Sequence, residues 1–73
     1  MKIIAKLSLF DTNYRYNVVY VFDGKAHSMS SGNIDLTEQS FAEDKIRLAQ
    51  DVVDSINAEN NTQLASVNDV VWI

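Results

Sequence analysis

His27 is the only histidine and the chain has no cysteine, so the side chains available for chemistry are carboxylates, hydroxyls, phenols and one imidazole. A histidine metal cluster and a thiolate nucleophile both need residues that are missing. His27 qualifies as a general base only in principle. A base acts on a nucleophile or acid held within hydrogen-bond reach in a concave pocket, and no motif around His27 supplies one, so it reads as a strand histidine. Asp44, Asp51 and Asp54 fall at helical spacing and could gather a cation or mimic a row of phosphates. Calcium sites wrap a loop of oxygen ligands around the ion, and no such loop is visible. With Glu43 these acids read instead as a solvated helix surface able to recognise lysines and arginines on a partner. No catalytic residue, metal site or cofactor emerges, and the chain is expected not to be an enzyme.

The aromatic residues allow more. Tyr14, Tyr16 and Tyr20 recur at strand spacing, which suits half-buried sheet packing. Stacking of unpaired bases on a sheet is chemically open to them, though net acidity and the absence of a basic strand pattern weigh against it; beside Lys6 and Ser8 they could instead form a protein-binding patch of large contact area and low entropic cost.

The elements that position these residues follow from hydrophobic period and turn chemistry. Lys2 to Phe10 alternates, with Ile3, Ala5, Leu7 and Leu9 on one side and Lys2, Lys6 and Ser8 on the other. Ile4 and Phe10 are the exceptions. Tyr14 to Phe22 is apolar on both faces: Tyr14, Tyr16, Val18, Tyr20 and Phe22 share one, Val19 and Val21 the other. A slip of one residue moves every side chain to the opposite face, so the first turn decides which set is buried. A two-residue turn at Thr12-Asn13 sets Leu7 opposite Val18 and takes Tyr20 into the core. A three-residue loop, Asp11-Thr12-Asn13, sets Ala5 opposite Val19 and turns Tyr20 outward. Asp23-Gly24 is a stronger signal, because a type I′ turn needs positive φ at both central residues and this pair tolerates it. It places Tyr20 beside His27 and Val18 beside Met29 in a third strand, Lys25 to Ser30, which a loop at Ser30-Ser31-Gly32-Asn33 ends.

A helix is predicted from Thr37 to about Asn57. Thr37 can cap the free amides, Glu38 meets the positive end of the dipole, and Leu36 and Phe41 stand where a hydrophobic staple would. Asp35 offers a competing cap. Ala42, Ile46, Ala49, Val53 and Ile56 form the stripe expected to lie on the sheet, flanked by Phe41, Leu48 and Val52. Glu43, Asp44, Arg47, Gln50, Asp51 and Asp54 form the outer face. The asparagines between Asn57 and Asn61 favour a helix end, and Leu64 to Ile73 reads as a closing strand anchored by Trp72. The expected fold is α+β: a four-stranded, mainly antiparallel sheet in the order β-β-β-α-β, with one helix packed on one face.

Seventy-three residues leave room for one domain, 1–73, since chains of this size bury only about 60% of their unfolded surface. Hydrophobic residues at 47% and charged residues at 22% are values of an ordinary folded, soluble protein. The lack of cysteine suits a reducing cytosol. Neither a secretion signal nor a membrane-spanning segment is expected. Ten acids against six bases, net −4, argue against direct nucleic-acid binding, which draws on phosphate neutralisation. A basic protein partner is favoured.

The N-terminal hairpin resembles that of a small phage-encoded anti-CRISPR family directed at the type I-F surveillance complex. Met1, Lys2, Ile4, Leu7, Ser8, Asn13, Tyr14, Val19, Tyr20 and Lys25 carry the likeness without gaps, and Asp35-Leu36-Thr37-Glu38-Gln39 looks like that family's helix entry. The resemblance covers about the first third of the chain. It implies a non-enzymatic inhibitor in the bacterial cytoplasm, monomeric or weakly dimeric, whose sheet face docks on a CRISPR-Cas effector subunit and blocks target DNA recognition. Tyr20 matches an interface tyrosine, which favours the outward register, with Tyr14 and Lys6 alongside. Lys6 stands where the family has a second aromatic contact, and the family ends in helix where Ser66 to Ile73 looks like strand. A second docking mode sets Glu43, Asp44, Asp51 and Asp54 into a basic groove of a nucleic-acid-handling protein. The rival readings are a small acidic antitoxin or regulatory module, and a sheet binding single-stranded RNA through Tyr16 or Tyr20.

Overall fold

Asp23 and Gly24 take φ 53° and 74°, the paired left-handed conformations that a two-residue hairpin turn demands. In the computed structural model, which describes residues 1–73, this turn joins β2 (Asn13–Phe22) to β3 (Lys25–Ser30). Tyr20 pairs with His27 and Val18 with Met29, as the turn chemistry predicts. Past Ser30 the Ser31 amide still donates to the Tyr16 carbonyl at 3.0 Å, and Ile34 then exchanges two backbone hydrogen bonds with Tyr14.

The first hairpin differs from both expected registers. β1 (Ile3–Phe10) closes on β2 through Asp11-Thr12, so Phe10 pairs with Asn13, Ala5 with Val18 and Ile3 with Tyr20. Asp11, not Asn13, takes the positive φ, at 56°. A short polar side chain tolerates that region, which frees Asn13 to begin the strand. This turn has the same parity as Thr12-Asn13, so Tyr20 enters the core. The outward register expected for Tyr20 is therefore overturned.

Helix α1 (Glu38–Glu59) starts where Thr37 Oγ1 accepts the Ser40 amide at 3.1 Å. It returns the chain from β3 to β4 (Val70–Trp72), which lies beside β1 and parallel to it. The fold is α+β, with a mostly antiparallel four-stranded sheet in spatial order β3-β2-β1-β4 and one helix. Ile3, Ala5, Tyr16, Val18 and Tyr20 meet Leu48, Val52, Val53 and Ile56 in the core. No helix is long and apolar enough to cross a membrane.

Two expectations about packing are corrected. Ala42 and Ile46 do not lie on the sheet: Ile46 is 75% exposed, and the buried helix face runs through Leu48, Ala49, Val52, Val53 and Ile56. β4, with only three residues, is too short to cover the neighbouring half of the apolar stripe. The closing strand is correspondingly shorter than Leu64–Ile73. Ser66 and Asp69 form a reciprocal capping box that winds Val67–Asp69 into one 3₁₀ turn, which satisfies local backbone groups that a strand would have turned to its neighbour. Trp72 still anchors the end, edge-to-face with Phe41 at 5.1 Å and Tyr16 at 6.3 Å.

Candidate protein-binding face

Strand alternation turns Ile4 and Lys6 of β1, Arg15, Val19 and Val21 of β2, and Val71 of β4 away from the helix. Val19 sits at the centre of a row that crosses all four strands, paired with Ile4 on one side and Ser28 on the other, while Ile4 pairs in turn with Val71. Nothing in the chain covers this row. Val19 is 52% and Val21 59% exposed, and these β-branched side chains form an apolar centre on an open sheet. A single exposed valine is ordinary, but a contiguous apolar strip across three of the four strands marks a surface that another molecule can cover.

The charges on the strands themselves have one sign, while Asp11, Asp23 and Asp69 lie in the turns beside them. β1 to β4 contain no carboxylate; Lys6 and Arg15 have the parity of the open face and Lys25, paired with Phe22, that of the helix side, whereas α1 carries Glu38, Glu43, Asp44, Asp51, Asp54 and Glu59. The Arg15 guanidinium lies 4.6 Å from the centre of the Phe10 ring and donates from Nε to Asn33 Oδ1 at 2.7 Å. Asn17 Oδ1 accepts a hydrogen bond from Ser30 Oγ at 2.7 Å, which closes the polar margin opposite the valines.

The residues expected to form one patch are divided between opposite faces. Lys6 is exposed on the open face. Tyr20 is 2% exposed beneath α1; its hydroxyl accepts from Asn60 Nδ2 at 2.8 Å, and its ring stacks on His27 with centroids 5.0 Å apart. It cannot be a surface contact. Tyr14 is half-buried on that same inner side, so it does not join Lys6 either. Tyr16 is buried as well, which removes from the surface both tyrosines on which stacking of RNA bases would depend. Burial, assisted by the nearby Asp51 carboxylate, raises the Tyr16 pKa above its ordinary value.

Glu43, Asp51 and Asp54 are exposed on the outer helix face as expected, and Asp44 is half-exposed. Part of that face is already engaged: Arg47 pairs with Asp44 at 3.3 Å, and Gln50 Nε2 donates to Asp54 Oδ1 at 2.8 Å. Ile4, Val19, Val21 and Val71 were missed as functional candidates. Their signal was present, since Ile4 breaks the alternation of the first strand and Val19 and Val21 make the second apolar on both sides. Comparison with protein-family models, curated proteins and solved structures finds no match to this chain.

Proposed function

We propose that this chain is a non-enzymatic binding protein, an inhibitor in the manner of the anti-CRISPR proteins, which docks on a partner protein with the open face of its sheet. The observation that carries the proposal is the row of exposed Val19, Val21 and Val71 around a half-buried Ile4, on strands that bear cations and no acid. Covering each half-exposed aliphatic side chain contributes about 1 kcal/mol, and the surrounding Lys6 and Arg15 select a partner with carboxylates around an apolar centre.

The type I-F surveillance complex is the first target to test. Ile4, Ser8 and Val19, three of the residues that carry the hairpin likeness, have the strand parity of the open face. Tyr20 takes no part in this docking mode. Purified complex immobilised on a sensor should bind the wild-type chain and lose it on Val19→Glu, a replacement on the solvent side. Equal binding by Val19→Glu would defeat the proposal.

The exposed Glu43, Asp51 and Asp54 support a second reading, an acidic antitoxin or regulatory module that occupies a basic groove. Binding by the acidic face falls steeply with ionic strength, whereas docking by the apolar strip responds weakly.

A further inference from the structure

Behind the outer edge of the sheet lies a cleft of about 260 Å³, formed where α1 overhangs β4 and lined by Lys45, Ile46, Ala49, Val67, Val70 and Trp72 together with Asn68. It is the place where the apolar stripe of the helix goes uncovered. Beside it the outer edge of β4 has no neighbouring strand. The Ile73 amide donates to the Ala5 carbonyl at 2.9 Å, and in a parallel ladder the residues that bond the neighbour alternate with residues that face away. Val71 and Ile73 therefore turn to β1, while the Val70 carbonyl and the Trp72 amide and carbonyl point out from the sheet. The Val70 amide is already taken by the Val67 carbonyl.

We infer that this edge accepts an extended segment of a partner protein as a fifth strand, with one apolar side chain seated in the cleft against Ile46 and Trp72. Three adjacent backbone groups, one donor between two acceptors, specify a strand as the occupant, because main-chain hydrogen bonds supply affinity and a pocket for alternate side chains supplies selectivity. Charge narrows the segment further. Lys45 lines the cleft and belongs to neither of the ion pairs in the chain, so the bound strand carries an acid two residues from its apolar anchor, on the same face. The site uses the inner side of β4 and its free edge; the open sheet face proposed above is not required for it.

Trp72 is the only tryptophan, so its emission reports the cleft directly. The probe is a blocked peptide, Ser-Val-Leu-Val-Glu-Ser, in which leucine and glutamate share one strand face. Titration into the wild-type chain should give a saturable change in emission. Ile46→Ala should weaken binding by roughly tenfold, the factor expected from losing part of one buried aliphatic contact; Ile46 is exposed enough that the fold tolerates the change, which a thermal melt verifies. Lys45→Glu should weaken the glutamate peptide and leave its glutamine twin unaffected. A twin methylated on the backbone nitrogens should bind weakly. The inference is overturned by absence of saturable binding, by Ile46→Ala binding equally well, by indifference to Lys45→Glu, or by undiminished affinity of the methylated twin.

Discussion

The Asn60 side chain donates from Nδ2 to the Tyr20 hydroxyl at 2.8 Å, linking the end of the helix to the middle hairpin across forty residues of sequence. The same Nδ2 also bonds the Ile56 carbonyl at 2.9 Å. Tyr20 is thereby a core residue whose polar tip is satisfied where the helix closes over the sheet. Phe at this position should cost about 1 kcal/mol, the net worth of one hydrogen bond. Alanine should cost about 3 to 5 kcal/mol through the cavity it leaves. Urea denaturation of Tyr20→Phe and Tyr20→Ala measures both, and a negligible loss for the alanine variant would contradict the packing described.

Gly24 takes φ 74°, and a Cβ added there would meet no atom within 4 Å. The penalty for Gly24→Ala is therefore one of backbone conformation alone, about 1 kcal/mol. Chemical denaturation should show that loss without a change in the slope, since the surface exposed on unfolding stays the same.

Tyr16 provides a pH test. Burial and the neighbouring Asp51 raise its pKa in the folded state above the ordinary value of 10.0. Above pH 10 the unfolded chain releases this proton more readily than the folded one, so the equilibrium moves toward unfolding. The stabilising contribution is complete below pH 10.0 and is lost as pH rises through the folded-state pKa. Thermal melts between pH 9 and 11.5, a range chosen to bracket that titration, should show a steeper alkaline decline for wild type than for Tyr16→Phe. Asp51→Asn should bring the folded-state pKa part of the way back down, detectable in the phenolate absorbance.

Much of this architecture was legible in the residues, and the failures have local causes. Asp23-Gly24 left one sensible turn, so the β2–β3 register followed directly. Thr37 and Asp35 both stood as caps at the helix start, and the structure uses Thr37, with Glu38 in the first turn. Asp11, Thr12 and Asn13 all tolerate turn positions, and the inside or outside fate of Tyr20 depended on the number of residues in that loop. Valines favour strands whatever their partners do, so the residues suggest a longer closing strand than the one that forms. Ser66 and Asp69, at the spacing of a capping box, were the available warning that the chain would turn before it paired. Helical period points Ile46 toward the core, but it gives the direction of a face and not the width of the sheet beneath it.

The open face holds the central claim, and one binding experiment reaches it. Purified type I-F surveillance complex is titrated with wild type, Val19→Glu and the double variant Asp51→Asn/Asp54→Asn, each at low and at raised salt. Binding by wild type and by the double variant with shallow salt dependence, and a loss of at least about 100-fold for Val19→Glu, the ~2.7 kcal/mol expected when a charge enters an apolar contact, is the predicted result. No binding by wild type, or loss confined to the double variant, would contradict it.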